Sequence, residues 1–92
     1  MKETLFLHYG RHTLRATILP DGQLMLYARD TIRVLCAING TPTDVLDRMP
    51  ESDNPNDYAG AMQIILSEVR DRPETQAFGR WIRNECARLE RT

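Results

Sequence analysis

His12-Thr13-Leu14-Arg15-Ala16-Thr17-Ile18-Leu19-Pro20-Asp21-Gly22-Gln23-Leu24-Met25-Leu26-Tyr27-Ala28-Arg29-Asp30 is the stretch whose reading decides the fold. From His12 to Leu19 the apolar Leu14, Ala16 and Ile18 alternate with Thr13, Arg15 and Thr17, the period of two expected of a half-buried strand. Pro20-Asp21-Gly22-Gln23 supplies a turn, with proline presetting φ and glycine free to take positive φ. Leu24 to Tyr27 then returns as a partner strand. Upstream, Leu5 to His8 reads as a short strand closed by Tyr9-Gly10. The first third of the chain is therefore an antiparallel hairpin, extended to a three-stranded meander.

Beyond Tyr27 the apolar period lengthens from strand to helix. Asp30 is placed to cap a helix whose inner side carries Ile32, Leu35 and Cys36, and Asn39-Gly40 ends it. Thr41-Pro42-Thr43-Asp44 starts a second helix with a capping-box pattern. Val45, Leu46 and Met49 face inward there, and Pro50 closes it. Asn54-Pro55 opens a third helix, on which Tyr58, Met62, Ile65 and Val69 form a stripe widened by Ile64 and Leu66. Pro73 starts a fourth, with Phe78, Trp81, Ile82, Cys86 and Leu89 on one side. Arg80, Arg83, Asn84, Arg88 and Arg91 lie on the other. The expected architecture is α+β in a single domain, residues 1–92, with a β-rich part over 4–28 and about four helices over 30–91. The five glycines read as scattered turn and cap residues.

Composition bounds the function classes. Ninety-two residues make one modest core, and 41% hydrophobic with 27% charged residues is ordinary globular composition. Apolar runs such as Ile64-Ile65-Leu66 and Val34-Leu35-Cys36-Ala37-Ile38 are far short of the roughly 20 residues that span a bilayer, and the first residues lack a signal-peptide core. The expected location is a reducing cytoplasm, where Cys36 and Cys86 serve as small buried hydrophobes rather than a disulfide. The net charge of −1 is unevenly spread. Residues 1–39 carry five basic and three acidic groups, residues 40–69 one and six, and residues 70–92 six and four. Eleven of the twelve basic residues are arginine, which suits forked contacts with phosphate or carboxylate and is also what GC-rich codon usage produces. No strongly basic tract marks a protein that coats nucleic acid.

Tests for catalytic chemistry fail one by one. Neither cysteine is placed as an activated thiol beside a base. Ser52 and Ser67 sit outside any nucleophile-elbow context. No glycine-rich phosphate loop occurs. His8 and His12, even with Asp30 or Cys36, match no metal-ligand spacing, and Asp53 and Asp57 lack the glycine and glutamate of a calcium loop. The expectation is a non-enzymatic protein with no cofactor or metal. Helices over 31–39 and 42–49 have helix-turn-helix dimensions, but Asp44 and Asp47 against a single Arg48 make a poor surface for phosphates. Candidate contacts with DNA or a protein partner are instead Arg11, Arg15 and Arg29 on the hairpin, with Arg80, Arg83, Arg88 and Arg91 on the last helix. The competing surface is acidic: Asp44, Asp47, Glu51, Asp53 and Asp57, suited to a basic partner. The arginine face of the last helix also reads simply as a solvated face favoured by the helix dipole.

Gly10-Arg11 leading into Leu14-Arg15, Asp21-Gly22 at the hairpin turn, Tyr27-Ala28-Arg29-Asp30 entering a helix that runs through Arg33-Val34-Leu35, and a proline-containing second helix form one pattern. On these residues the stretch from Leu7 to Pro50 resembles the N-terminal domain of the BRO family, found in baculovirus repeated-ORF proteins and phage antirepressors. Cys36 stands where family members usually carry glycine. The resemblance implies an α+β module of phage or prophage type associated with transcriptional control. Some relatives are taken to bind DNA, while antirepressors engage a repressor protein. The family's usual second domain does not follow, so the expectation is a stand-alone module. Two functions compete: a DNA-associated transcriptional regulator, and a protein-binding inhibitor or anti-activator of a host regulatory or defence protein. An amphipathic last helix leaves homodimerisation open.

Overall fold

The computed structural model describes residues 4–42, 44–47 and 55–90. Three strands, β1 (Thr4–Tyr9), β2 (His12–Ile18) and β3 (Leu24–Leu26), form an antiparallel sheet in the order β1-β2-β3. The meander is the one expected from the alternating pattern. Gly10 (φ 61°) and Gly22 (φ 89°) supply the left-handed backbone of its two turns. In the second turn Gly22 N–H donates to Leu19 O at 2.9 Å, and the Asp21 carboxylate accepts from Gln23 N–H at 3.0 Å.

The register pairs Leu5 with Ala16 and Leu7 with Leu14 on the inner face, and Phe6 with Arg15 on the outer face. Leu14 and Ala16 are fully buried. Ile18 shares their face but lies at the end of β2 and is exposed, while Thr17, on the opposite face, is buried. The period of two therefore orients the strand correctly and misjudges its last positions.

Sheet passes to helix at Tyr27. Its N–H donates to Arg15 O at 3.0 Å, extending the β2–β3 ladder, while its C=O accepts from Thr31 N–H at 3.1 Å and opens α1 (Ala28–Asn39). The carbonyl that a continuing strand would offer Arg15 N–H is thereby turned into the helix. The Asp30 carboxylate takes its place, accepting from Arg15 N–H at 2.8 Å. The same carboxylate accepts a forked pair from the Arg15 guanidinium, Nε at 2.9 Å and Nη2 at 3.1 Å. Asp30 is thus not the helix cap expected from sequence. Tyr27 holds that position, with extended backbone and no side-chain cap, and Asp30 lies buried in the first turn.

At its C-terminus α1 ends in a Schellman arrangement. Gly40 adopts φ 66°, with Thr41 N–H on Cys36 O at 2.9 Å and Gly40 N–H on Ala37 O at 3.4 Å. The second helix expected over 42–49 is, among the described residues, the single turn α2 (Asp44–Asp47). Only Leu46 of this turn is described as buried, and Asp44 and Asp47 are exposed. Met49 and Pro50 lie outside the described residues. Three longer helices, rather than about four, therefore complete the fold. The third expected helix opens as a 3₁₀ turn, Pro55–Tyr58, and continues as α3 (Ala59–Val69); α4 (Pro73–Glu90) starts at its proline.

The core gathers Leu14 from the sheet, Ile32, Leu35 and Cys36 from α1, Leu46, and Tyr58, Ile65, Val69 and Phe78 from the later helices. Tyr58, Ala61, Ile65 and Val69 hold the buried side of the α3 segment, whereas Ile64 is 63% exposed, so the stripe is narrower than its apolar residues suggest. The hairpin grips α4 at two places. Tyr9 packs its ring 5.0 Å from Phe78 and 4.9 Å from Trp81, and Glu90 Oε1 accepts from Leu24 N–H at 3.0 Å on the edge of β3.

Burial alone pushes the Asp30 carboxyl up, but the hydrogen bonds and charge of Arg15, with the charge of Arg33, outweigh it and hold the group below its ordinary value. A carboxyl lowered by folding stabilises the fold fully above the unfolded value of about 3.9, and that contribution is lost as pH falls through the lowered folded value. Asp30→Ala is expected to destabilise the domain by about 2–4 kcal/mol, since it removes the buried carboxylate that the Arg15 guanidinium and backbone N–H both bond. Urea titrations of the wild type and the variant at neutral pH and through the acid range check both the loss and its convergence below pH 4.

Candidate functional site

The structure sorts the candidate arginines into distinct settings. Arg15 is committed to Asp30, with its guanidinium carbon 4.7 Å from the centre of the Tyr27 ring. Arg29 is half-buried on the first turn of α1, and Arg11 is exposed at the β1–β2 turn. Arg88 pairs with Glu85 one turn earlier on α4. Arg80 and Arg83 are exposed on the same helix, and Arg91 lies outside the described residues. The acidic candidates are spread out: Asp44 and Asp47 on α2 and Asp57 in the 3₁₀ turn are exposed. Glu51 and Asp53 lie outside the described residues.

Other reactive groups have structural settings. His8 Nδ1 lies 3.3 Å from the Thr13 hydroxyl across the β1–β2 pair. Among the described residues no three His, Cys, Asp or Glu side chains gather closely enough to hold a metal ion. Cys36 is buried and Cys86 half-buried, both free. Burial, followed by the charges of Glu90 and Glu85, raises the Cys86 thiol, opposite to what an activated nucleophile requires. Among the described residues no helix is long and apolar enough to cross a membrane.

Arg80 and Arg83 meet a third arginine that the sequence reading did not single out. Helix α3 ends at Arg70, whose N–H donates to Leu66 O at 2.9 Å, and Arg72 N–H donates to Val69 O at 3.0 Å before α4 turns back. This tight connection is pinned to α1. Arg72 Nη1 donates to Asn39 O at 3.1 Å, and the Asn39 amide donates to Thr75 Oγ1 at 2.9 Å and to Leu35 O at 2.9 Å. With Arg72 occupied at the carbonyl end of α1, where a cation complements the helix dipole, the remaining cations line an open groove between α3 and α4.

That groove has a volume of about 380 Å³ and is walled by Leu66, Arg70, Thr75, Gly79, Arg80 and Arg83. It adjoins an apolar pocket of about 190 Å³ among α1, α3 and α4, lined by Leu35, Met62, Phe78 and Ile82 and sharing Leu66, Thr75 and Gly79 with the groove. Neither cavity is lined by a carboxylate, histidine, cysteine or lysine among the described residues. Arg70, Arg80 and Arg83 form no ion pair among the described residues. The lining sets guanidinium forks beside an apolar depression, with the Thr75 hydroxyl at the join.

Two of the glycines expected at turns or caps lie inside helices, Gly60 in α3 and Gly79 in α4, and Gly79 bears on the site. It is neither a turn nor a cap but sits inside α4, where both cavities meet. A Cβ there would meet only Arg83 Nη1, at an ordinary 3.8 Å. Packing therefore does not demand glycine, although glycine in a helix interior costs about 0.5–1 kcal/mol relative to alanine. The readable signal was a glycine between Phe78 and Arg80 in an otherwise uninterrupted helical pattern.

No protein-family model matches this chain, and no curated protein or solved structure shows significant similarity to it.

Gly79→Ala is expected to stabilise the free protein by about 0.5–1 kcal/mol, a rise of a few degrees in Tm for a domain of this size. Thermal unfolding followed by circular dichroism measures it. A loss of stability would show that packing around α4 requires the glycine after all.

Proposed function

We propose that this protein is a small, non-enzymatic regulatory module that acts in the cytoplasm by binding another protein, with the groove between α3 and α4 as its working surface. The observation that carries this reading is the combination at one place of three arginines that form no ion pair among the described residues and an apolar pocket. A nucleic-acid backbone presents a line of phosphates and rewards an array of cations. An apolar depression adjoining guanidinium groups instead suits a protein segment that brings both apolar and anionic side chains.

Other observations point the same way. In the helix-turn-helix reading the second helix would face phosphates, and its described part, Asp44–Asp47, presents Asp44 and Asp47 exposed. Arg15 contributes its charge to the fold through Asp30, which thins the hairpin's basic set. The BRO-like pattern over residues 7–50 supports a regulatory role of either kind, because antirepressors of that family engage a repressor protein. The second reading is a DNA-associated regulator, and it rests on Arg11, Arg80 and Arg83 remaining exposed.

Fluorescence anisotropy of a labelled random-sequence duplex separates the two. The protein-binding reading predicts no appreciable affinity at low salt. Affinity that falls by roughly tenfold or more between about 50 and 200 mM salt indicates that several phosphates are neutralised. Such binding, lost on changing Arg80 and Arg83 together to alanine, would overturn the proposal in favour of DNA.

A further inference from the structure

The groove's own chemistry narrows what can occupy it, and this inference rests on the protein-binding reading above. The pocket beside the groove is lined by Leu35, Met62, Phe78 and Ile82 and has a volume of about 190 Å³. Apolar cavities of about 150 Å³ admit a benzene ring, so this one is large enough for one aromatic or branched aliphatic side chain. Along the adjoining groove stand Arg70, Arg80 and Arg83, with no carboxylate among the described lining residues to neutralise them. Arg80 and Arg83 are three residues apart on one helix and so project to neighbouring positions, and Arg70 ends the helix that forms the opposite wall. A cation brought near this surface meets like charge; a carboxylate meets guanidinium on both walls.

Gly79 is the independent sign that the space is there to be filled. It stands at the junction of pocket and groove. The only heavy atom a Cβ there would approach within 4 Å is Arg83 Nη1, so one of the three guanidinium groups lies over the bare backbone of α4. A helix that forgoes alanine's stability at this point keeps the passage between pocket and groove open.

We infer that the groove takes an acidic, amphipathic segment of a partner protein. One bulky apolar side chain of that segment enters the pocket over Phe78, and carboxylates flanking it lie on Arg70, Arg80 and Arg83. The apolar side chain provides the anchor, and the charges set orientation and exclude basic segments.

The test uses the full chain and a fluorescein-labelled synthetic peptide in which a phenylalanine and a leucine are flanked by glutamates, titrated by anisotropy. Two control peptides carry glutamine in place of every glutamate, or serine in place of both apolar residues. The expected result is saturable binding of the first peptide, weakened roughly tenfold or more by either control. Gly79→Ala is expected to weaken binding while raising Tm, so the loss cannot be attributed to unfolding. Arg80→Glu with Arg83→Glu removes binding, and Arg11→Glu leaves it unchanged. No binding of the acidic peptide at millimolar protein would overturn the inference, as would equal binding of the glutamine peptide or indifference to Gly79→Ala. Failure of the peptide with the duplex also unbound leaves a protein partner of different chemistry, whereas binding of the duplex at the same arginines refutes the protein-binding reading itself.

Discussion

The contact between Arg15 and Asp30 is the constraint on which the arrangement of this domain depends. Strand β2 runs past the end of β3, so Arg15 N–H needs an acceptor that no strand provides. One carboxylate satisfies that N–H and the fork of the same residue's side chain. The first turn of α1 is thereby tied to the middle of the sheet, and the direction in which the helix leaves Tyr27 is set. That direction places Ile32, Leu35 and Cys36 over Leu14 and gives α3 and α4 a surface to pack on. Asp30 can stay ionised at such a buried site because the guanidinium, itself set over the Tyr27 ring, meets it in a two-pronged geometry.

The proposed binding groove lies toward the other end of α1 from this contact and follows from how α1 ends. Gly40 stops the helix, its last carbonyls are met by Arg72 and Thr41, and Asn39 reaches Thr75 on α4. The α3–α4 connection is therefore held, and the two helices diverge from it around Leu66 and Gly79. Division of labour among the arginines follows. Arg15 and Arg72 stabilise the fold, Arg88 is paired along its own helix, and Arg70, Arg80 and Arg83 line the opening. Stability and the proposed recognition thus draw on different members of one residue type.

How much of this was legible in the sequence depends on the range of the interaction involved. The strands, both turn glycines, the stop at Gly40 and the start at Pro73 are local consequences of alternation, positive φ and a missing N–H, and all could be read directly. Asp30 was read as a cap because it has a capping residue's chemistry next to a helical pattern. Its real partner lies fifteen positions upstream, and nothing in the local spacing reveals a gap in a sheet ladder. Of the second expected helix, the described residues show the turn Asp44–Asp47, with Leu46 buried as its apolar pattern implies. Ile64 was assigned to the buried stripe because the α3 segment is apolar on more sides than its neighbours cover.

For the candidate site, the arginine face of α4 was legible from the 100° step of the helix, and Arg80 and Arg83 are the members of it that line the groove. Arg70 was missed because its relation to that face exists only once α3 and α4 fold back on each other. Gly79 was visible but assigned to a class, turn or cap, that its setting excludes. The pocket behind it arises from three helices and had no signature in any one of them. The most direct measurement of the central account, that pocket and arginines form one amphipathic binding surface, is a ¹H–¹⁵N correlation titration with phenylacetate, which joins an aromatic ring to a carboxylate. The account predicts shifts concentrated at Leu66, Thr75, Gly79 and Ile82, reduced when benzyl alcohol or acetate replaces it. Shifts absent from these amides, or centred on the β1–β2 turn around Arg11, would contradict it.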